Sequence, residues 1–423
     1  MLAAYIHIPF CRRRCYYCDF PVSVVGDKNP ITGDRMNGST SGTIARYVEF
    51  LCQEIRQQAL DVSAYAKPLN TIFFGGGTPS LLSIAQVDHV LQTLDQHFGI
   101  AADAEISMEV DPGTFDRLQI LGYRTAGVNR VSVGVQAFQT NLLQAAGRSH
   151  TVEEIYRALD SIHAAGFTNI SLDLISGLPH QTLTDWQVSL EKAIALSPTH
   201  ISCYDLTVEP VTAFGRQYKP GIKPLPSDEA TAEMYRMAHQ VLTTAGYEHY
   251  EISNYAKPGY PCRHNRVYWE NRPFYGFGMG ATSYVAGDRV ARPRKTGEYY
   301  KWVEAGVREQ GGNETETRSR SVSVGVNPKP ETFSSDLLLD TLMLGLRLQE
   351  GLAIAPLVEQ FGEAAITRVW QRLQPYQKTG WVAVEPESAI EMTVIARIKL
   401  TNPEGFLFSN IVLTEIFEEF EEN

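Results

Sequence analysis

Three cysteines, Cys11, Cys15 and Cys18, stand within eight residues directly after a short apolar segment, 4–10. Iron–sulfur clusters are held by cysteine thiolates, and three thiolates can bind all but one iron of a four-iron cubane, which leaves that iron open to another ligand. A structural zinc site normally completes its tetrahedron with a fourth Cys or His from a second paired motif, and none is near in the sequence. The spacing therefore favours a cluster, with zinc or three packed thiols as the alternatives.

The composition favours a cytoplasmic protein that does not bind nucleic acid. Six cysteines are too few to staple 423 residues with disulfides, so Cys52, Cys203 and Cys262 are expected to be packed thiols. The net charge of −11 argues against a nucleic-acid partner, because phosphate backbones require a basic face. We find neither a long uncharged apolar run nor a basic leader with a cleavage site, and therefore expect a cytoplasmic location.

Apolar, β-branched segments alternate with segments of helical periodicity over residues 1–308. This alternation predicts a parallel sheet with right-handed crossovers. About six βα units are counted, which is too few for a closed eight-stranded barrel. The predicted fold class is therefore α/β, an open partial (β/α)6 barrel, with functional groups at the carboxyl ends of the strands. The expected strands are 4–10, 70–74, 105–110, 130–135, 170–175 and 200–204, with a further strand at 247–252.

The last quarter of the chain is predicted to form a separate domain. From about residue 309 to 335 the composition shifts to Gly, Ser, Thr, Asn and Pro, which is typical of a linker. The remaining residues contain helical stretches followed by two short strands, which predicts a small α+β domain like a winged helix. We divide the chain into a barrel domain, 1–308, a linker, 309–335, and a C-terminal domain, 336–423.

Four predicted strands end in groups that strand packing does not require. The sequence Gly-Gly-Gly-Thr-Pro at 75–79 would let polar ligand atoms approach the backbone, although a tight turn explains it equally well. Glu109 could accept hydrogen bonds from ribose hydroxyls, and Arg148, beyond Gln136, could bind a carboxylate. Asp173 lies in an apolar strand, where a charge is costly unless paired or used. Each alone could be a surface or ion-pair residue, but their common position favours one site.

These motifs together resemble those of a known superfamily. The cysteine spacing with an aromatic residue before the last Cys, followed by a strand that ends in Gly-Gly-Gly-Thr-Pro, is similar to the radical S-adenosylmethionine (SAM) superfamily. Further motifs, over nearly the whole chain, narrow the resemblance to its branch of oxygen-independent coproporphyrinogen III oxidases (HemN) and HemW-type proteins. These motifs are Tyr-Ile-His-Ile-Pro-Phe-Cys at 5–11, Gly-Val-Gln at 134–136 and Asp-Leu-Ile-x-Gly-Leu-Pro at 173–179.

The resemblance implies two cofactors and the residues that hold them. In this superfamily three thiolates hold a [4Fe-4S] cluster, and the open iron binds the amino and carboxylate groups of SAM. Cys11, Cys15 and Cys18 would be the three cluster ligands here. The residues implied to contact SAM are Gly76, Gly77 and Thr78 at its methionine part, and Tyr5, Tyr17, Glu109, Gln136, Arg148 and Asp173 around the rest.

Within this branch the chain departs from the oxidase pattern. The oxidase motif looks like Cys-x3-Cys-x2-Cys-x-Cys. The position of its fourth cysteine, two residues after the third, is Phe20 in this chain. The chain instead carries His-Asn-Arg-Val-Tyr-Trp at 264–269, which is similar to the His-Asn-x-x-Tyr-Trp signature of the HemW-type haem chaperones. The segments 344–348 and 400–405 are also similar to the C-terminal domain of that group. Whether the scaffold catalyses a reaction is left open.

The histidine of this signature is the candidate haem ligand. His264 could be an axial ligand of haem iron, with Tyr268 and Trp269 as flat apolar walls for the macrocycle. The alternative is that His264 is hydrogen-bonded within an aromatic cluster and never contacts iron. His7 is a weaker candidate for the same role.

The predicted function is that of a haem chaperone, which binds haem and transfers it to an acceptor haemoprotein. The cluster would regulate this transfer or the oligomeric state, or would serve radical turnover. One alternative is an oxygen-independent coproporphyrinogen III oxidase, which uses SAM in the oxidative decarboxylation of propionate side chains; another is a radical enzyme acting on an unrelated substrate. The sequence leaves open the acceptor, a homodimer, a peripheral membrane contact through the acceptor, and covalent attachment of haem.

Overall fold

The computed structural model describes residues 2–26, 37–60, 68–311, 335–386 and 395–421. The chain forms two compact units, one of residues 1–227 and 272–324 and the other of residues 228–271 and 325–423. The division predicted from the sequence places 228–271 with the barrel, whereas in the structure this segment packs with the C-terminal residues. Most of the predicted linker, 309–335, lies outside the described residues.

The strands alternate with helices along the first half of the chain. In chain order they are β1 (Leu2–Ile8), β2 (Phe10–Cys11), β3 (Ser23–Val24), β4 (Leu69–Gly76), β5 (Ile100–Val110), β6 (Arg130–Gln136), β7 (Asn169–Ser176), β8 (His200–Asp205), β9 (Glu248–Glu251), β10 (Asn254–Ala256), β11 (Phe274–Phe277), β12 (Thr282–Val285), β13 (Asp288–Ala291), β14 (Leu352–Ala353), β15 (Val382–Glu385) and β16 (Arg397–Leu400).

The helices account for most of the remaining described residues. They are α1 (Gly42–Leu60), α2 (Ile84–Phe98), α3 (Arg117–Thr125), α4 (Thr140–Ala145), α5 (Val152–Ala164), α6 (Leu183–Ala195), α7 (Ala213–Gln217), α8 (Asp228–Thr244), α9 (Arg263–Trp269), α10 (Thr296–Gly311), α11 (Ser335–Gly345), α12 (Ile354–Phe361), α13 (Glu363–Lys378), α14 (Glu404–Leu407) and α15 (Ser409–Glu421). None of the described helices has the length and apolar character needed to cross a bilayer.

Six parallel strands form the centre of the first unit, in the order β1-β4-β5-β6-β7-β8. On the other side of β1, β11 pairs with it in parallel, and β12 and β13 continue the sheet antiparallel. In the described residues of this unit the strand order is linear rather than circular. The α/β partial barrel of six βα units predicted from the sequence is therefore confirmed.

Because the central strands are parallel, their carboxyl ends lie at one edge of the sheet, and capped helices follow the loops at this edge. Helices α2, α5 and α6 each begin with a capping box, in which Ser83, Thr151 and Thr182 accept a hydrogen bond from the backbone N–H three residues later. Such caps satisfy N–H groups that the first helical turn leaves unpaired, so each helix starts at a defined residue. The loops between strand ends and helices are thereby held in place around this edge.

A buried ion pair fastens α1 to the segment that follows the parallel strands. The Glu54 side chain is fully buried, and its Oε1 accepts a hydrogen bond from Arg292 Nε at 2.8 Å. Its Oε2 accepts hydrogen bonds from the Tyr299 hydroxyl at 2.7 Å and from the Gly278 N–H at 2.8 Å. A buried carboxylate is tolerated only when paired and hydrogen-bonded, and Glu54 is both.

The second unit combines helices with a small antiparallel sheet, in the order β14-β16-β15. Its core includes Tyr235 of α8 together with side chains of the C-terminal segment, among them Trp370 and Phe406. Arg236 binds Glu404 through two hydrogen bonds, of 2.7 and 3.0 Å. Strands β9 and β10 pair antiparallel, so the strand predicted at 247–252 forms a hairpin. These contacts explain why 228–271 belongs to this unit.

Replacing Glu54 by alanine is expected to destabilise the first unit strongly. The substitution leaves the buried Arg292 guanidinium without its carboxylate, a change that costs about 3–5 kcal/mol. The matched control is Glu298→Ala, which removes an exposed pair with Lys295 and should cost less than about 1 kcal/mol. Urea unfolding of both variants measures the difference, and equal costs would contradict the structural role assigned to Glu54.

Candidate functional site

The cysteine loop lies at the carboxyl end of β1 and opens into a cavity of about 500 Å³. Cys11, Cys15 and Cys18 are free thiols, partly exposed, and all three line this cavity. Backbone hydrogen bonds hold the loop, including Tyr16 N–H to Ala146 O at 3.1 Å and Cys18 N–H to Cys15 O at 3.3 Å. All three thiols therefore line a single cavity.

Polar groups face two of these sulfurs. The Thr78 hydroxyl lies 3.5 Å from Cys11 Sγ, and Arg148 Nη1 lies 3.4 Å from Cys15 Sγ. Burial raises the pKa of Cys11 to about 12, and burial also raises the pKa of Cys18. Metal binding requires thiolates and releases their protons, so donors aimed at the sulfurs suit a metal-bound state.

No group of three or more His, Cys, Asp or Glu in the described ranges has the geometry to hold one metal ion. The thiolates of a cubane each bind a different iron, so they stand farther apart than the ligands of a single ion. Three free thiols that line one cavity therefore supply the kind and number of donors that a four-iron cluster with one open iron requires.

The glycines after β4 have a packing role as well as a place in the cavity. A Cβ atom on Gly77 would lie 2.7 Å from Phe10 O and 2.8 Å from Ile8 O, closer than real Cβ atoms approach other atoms. Gly76 has φ +108°, a conformation that favours glycine, and a Cβ there would meet the His7 ring at 2.4 Å. Both line the cavity, so these glycines permit close strand contact and leave backbone accessible to a ligand.

Polar side chains occupy registered positions on neighbouring strands below the cavity. Glu109 on β5 is paired in register with Ser132 on β6, and Ser132 with Ser171 on β7. One row further, Gly134 is registered with Asp173, and Asp173 with Ser202 on β8. Because side chains alternate faces along a strand, residues in register share a face. Polar groups thus line the inner face that barrels usually fill with apolar side chains.

Asp173 is held by hydroxyl groups from its own and neighbouring strands. The Ser132 hydroxyl donates to both carboxylate oxygens of Asp173, at 2.9 and 3.0 Å, and the Ser171 hydroxyl lies 3.3 Å from Oδ1. Burial raises the pKa of Asp173, while hydrogen bonds from Ser202, Ser132 and Ser171 oppose this rise. Asp173 lines the cavity, so these serines hold in place a carboxyl group that a ligand there can contact.

Glu109 is a second partly buried carboxyl group that lines the cavity. It accepts a hydrogen bond from the Gly76 N–H at 3.1 Å. Burial, and next the charge of Asp173, raise the pKa of Glu109 to about 8, although Gly76 and Arg130 oppose the rise. Glu109 is therefore mostly protonated at neutral pH and can donate as well as accept a hydrogen bond.

Arg148 forms an ion pair that the sequence did not identify. The sequence analysis expected that Arg148 could bind a carboxylate but named no residue. In the structure Arg148 binds Asp111, which follows β5, through Nη2. Arg148 also donates to Gly134 O at 3.1 Å and lies 3.4 Å from the Tyr17 hydroxyl. Burial acts to raise the pKa of Asp111, but Arg148 and His150 outweigh it and the pKa is lowered. The ion pair links the end of β5 to the cysteine loop, because Arg148 also contacts Cys15.

Most of the expected site residues line this one cavity. Gln136 does so in a left-handed backbone conformation, with φ 66°. Tyr5 is not among the residues that line the cavity, and its hydroxyl lies 3.1 Å from His7 Nδ1. The expected residues that line it are Cys11, Cys15, Cys18, Tyr17, Gly76, Gly77, Thr78, Glu109, Gln136, Arg148 and Asp173.

His264, the expected haem ligand, lies on α9 in the second unit and is 1% exposed. Its Nε2 is 2.8 Å from the Tyr268 hydroxyl, and the two rings pack edge to face with centroids 5.1 Å apart. In this conformation His264 is hydrogen-bonded within an aromatic pair, which is the alternative to a role as haem ligand. His7, the weaker candidate, is 4% exposed, with Nε2 lying 3.2 Å from Pro21 O.

Two further strand-end groups in the cavity were not identified from the sequence. Asp111 follows β5, and Asp205 ends β8, where it accepts a hydrogen bond from the Ser176 hydroxyl. Both line the cavity, as does Tyr204. The sequence did contain a signal for both residues. The rule that functional groups gather at the carboxyl ends of parallel strands, which selected Glu109 and Asp173, applies equally to the ends of β5 and β8.

Replacing Glu109 by glutamine is expected to flatten the dependence of stability on pH. Its pKa is about 8 in the folded protein against an ordinary 4.5, so the folded state binds the proton more tightly. Stability from this group is complete below about pH 4.5 and is lost as pH rises towards 8. Between pH 5 and 9 the wild type should lose on the order of 4 kcal/mol that Glu109→Gln keeps.

Urea unfolding at pH 5, 7 and 9 measures this difference. Glu298→Gln, on an exposed side chain of α10, is the control and should follow the wild type across the range. Identical pH slopes for Glu109→Gln and the wild type would show that Glu109 is ionised in the folded protein.

Comparison with known proteins agrees with this arrangement. Residues 5–193 match the Radical SAM superfamily, and residues 334–389 match the HemN C-terminal domain. A crystal structure described as coproporphyrinogen III oxidase (HemN) from Escherichia coli superposes with a TM-score of 0.74 at 25% identity, covering 98% of this chain and 89% of that one.

Relatives named heme chaperone HemW match this chain, and two of them illustrate the similarity. The protein from Synechocystis sp. is 46% identical over 431 residues, covering 100% of this chain and 97% of the relative. The Escherichia coli protein is 40% identical over 298 residues, covering 70% of this chain and 74% of the relative. The chain therefore belongs to the radical SAM superfamily and, within it, to the HemW family.

Proposed function

We propose that this protein is a haem chaperone, which binds haem and passes it to an acceptor haemoprotein, on a scaffold that carries a [4Fe-4S] cluster and exchangeable SAM. The observation that carries the proposal is the single cavity lined by three thiols, a glycine-rich strand end and the partly buried carboxyl groups of Glu109 and Asp173. The full-length similarity to a protein named heme chaperone HemW supports the haem part.

Cys11, Cys15 and Cys18 would hold the cluster. The three thiols line the same cavity. The Thr78 hydroxyl and the Arg148 guanidinium lie near two of the sulfurs, where they would stabilise negative charge. A bound cluster of this kind supplies an iron open to a further ligand and a centre that accepts or donates one electron.

The strand ends would hold SAM. The glycine-rich segment, Gly76, Gly77 and Thr78, would contact the methionine part, because its backbone is accessible from the cavity. Asp173, fixed by serine hydroxyls, is suited to accept hydrogen bonds from a ribose diol, and Glu109 can donate or accept there. Gln136, Tyr17 and Arg148 would complete the site, whereas Tyr5 would act indirectly.

His264 remains the proposed iron ligand of haem, with Tyr268 and Trp269 beside the macrocycle. Because His264 Nε2 is hydrogen-bonded to the Tyr268 hydroxyl and the ring is buried, ligation of iron would require this bond to break. The proposed partners are haem and an acceptor haemoprotein, in the cytoplasm, with a homodimer and peripheral membrane contact through the acceptor as further proposals.

The second candidate function is oxidative decarboxylation of coproporphyrinogen III. The likeness to the HemN structure over 98% of the chain favours it. Phe20 argues against this function, because it occupies the position of the fourth cysteine in the oxidase motif. The two candidates make opposite predictions for carbon dioxide release.

Replacing Asp173 by asparagine is expected to weaken SAM binding about 10- to 100-fold, since a hydrogen bond to a charged group contributes about 1.5–3 kcal/mol. Calorimetric titration of SAM into anaerobically reconstituted protein measures this, with iron content as a check on the cluster. The control is Asp160→Asn, an exposed carboxylate on α5, which should leave SAM affinity unchanged. Equal affinity in wild type and Asp173→Asn would remove Asp173 from the SAM site.

Haem binding and transfer test the function itself. Reconstituted protein should bind ferric haem, seen by absorbance, and transfer it to an apo-haemoprotein such as apomyoglobin, without releasing carbon dioxide from coproporphyrinogen III. His264→Ala should weaken haem binding about tenfold or more with cluster content intact, because an axial ligand is lost. The exposed His163 on α5 supplies the control, His163→Ala. SAM-dependent decarboxylation would favour the oxidase, and haem binding by His264→Ala at wild-type affinity would eliminate His264 as a required ligand.

A further inference from the structure

We call the side of the cavity that is lined by the exposed residues Phe20 and Tyr204 its outer part. Phe20 and Tyr204 both line it, and their side chains are 50% and 43% exposed. Val22, Ile175 and Leu206 line the cavity as well. Large aromatic surface left in water at the entrance of a cavity indicates a contact surface for an apolar partner.

Exposed apolar side chains concentrate in the two segments that supply these residues. Of the twelve large hydrophobic side chains exposed in the described residues, five belong to segments 16–24 and 204–211. Scattered exposed hydrophobic residues are ordinary, whereas a concentration beside a polar site is not. The five are Tyr16, Phe20, Val24, Tyr204 and Val211.

The exposure of Phe20 is built into the loop. Arg14 donates hydrogen bonds to the carbonyl oxygens of Cys18 at 3.4 Å, Phe20 at 3.1 Å and Val22 at 3.3 Å. Arg294 adds a hydrogen bond to the carbonyl oxygen of Asp19 at 3.3 Å. These contacts hold the backbone on both sides of Phe20, so the aromatic ring is presented at the entrance by an ordered loop.

The same loop adds positive charge at this entrance. Arg14 is satisfied by neutral carbonyl groups, and within the described chain it forms no ion pair with a carboxylate. Arg13 lines the cavity beside it. The cavity is also lined by the acidic residues Asp19, Asp205 and Glu209. Its fourth lining arginine, Arg148, is paired with Asp111, so the cysteine loop contributes three of the four arginines. A ligand with an apolar face and anionic groups at one edge matches this pattern.

We propose that the outer part of this cavity is a docking site for the porphyrin macrocycle of haem, with Phe20 and Tyr204 in contact with the ring and the arginines of the cysteine loop facing its propionates. This inference rests on the proposed function and adds residues of the first unit to those proposed to contact the macrocycle. It also assigns a role to Phe20 at the position where the oxidases carry cysteine. The macrocycle lies beside the cluster loop, while the inner part of the cavity is left to the cofactors.

The test compares two porphyrins on five proteins. Ferric haem and metal-free protoporphyrin IX, which has no iron to ligate, are titrated into reconstituted wild type, Phe20→Ala, Tyr204→Ala, His264→Ala and the control Leu118→Ala. Leu118 on α3 is 75% exposed and does not line the cavity. Phe20→Ala and Tyr204→Ala should each weaken both porphyrins about tenfold, as expected for the loss of a packed aromatic ring. His264→Ala should weaken haem only, and Leu118→Ala neither.

Further measurements keep the outcomes distinguishable. Iron content and SAM affinity should match the wild type in Tyr204→Ala, which lies on β8, outside the cysteine loop. Phe20→Leu, which keeps apolar bulk without a flat ring, should bind both porphyrins with affinity between wild type and Phe20→Ala. Haem dimethyl ester, which lacks the propionate charges, should bind wild type about tenfold more weakly than haem.

Each failure has its own meaning. Wild-type protein that binds neither porphyrin would overturn the proposed function and this inference together. Wild-type protein that binds haem while Phe20→Ala and Tyr204→Ala behave like Leu118→Ala would overturn the docking site alone. Equal affinity for haem and its dimethyl ester would remove the arginines from the proposal.

Discussion

The close approach of the end of β4 to the cysteine loop is the constraint on which the site depends. Gly77 N–H donates to Ile8 O at 2.9 Å, and no side chain fits between Gly77 and the backbone of Phe10. Because Cys11 follows Phe10 directly, this contact sets where the first thiol lies relative to the strand ends. Glycine serves here both packing and access, so a substitution would displace the cysteine loop and block the cavity at once.

A second constraint is electrostatic, because the inner face of the barrel carries buried carboxyl groups. Asp111 is neutralised by Arg148, whereas Asp173 depends on serine hydroxyls and Glu109 takes up a proton. The three carboxyl groups thus lie in one cavity in different states, set by what each contacts. A site of this kind offers a ligand both hydrogen-bond acceptors and a donor without placing three negative charges together.

The sequence predicted the elements, and it selected residues most of which line one cavity, because both depend on local pattern. Alternating periodicities predicted the parallel strands, and the strand-end rule then selected Glu109, Gln136 and Asp173. It could not show that the Tyr5 hydroxyl is taken by His7, since that contact depends on the pleat of β1. Nor could it place 228–271, because the contact of Arg236 with Glu404 joins residues far apart in the chain.

The burial or exposure of each side chain determines which residues haem could contact first. An axial ligand acts only when its nitrogen is accessible, and His264 is buried with Nε2 facing the Tyr268 hydroxyl. Phe20 and Tyr204 are exposed and held in an ordered entrance, so they can contact a macrocycle without any rearrangement. A chaperone must also release its cargo, and an apolar surface with peripheral charge releases haem more readily than a buried iron–histidine bond. Docking on the exposed aromatic residues would therefore need no rearrangement, whereas ligation by His264 would require its hydrogen bond with Tyr268 to break.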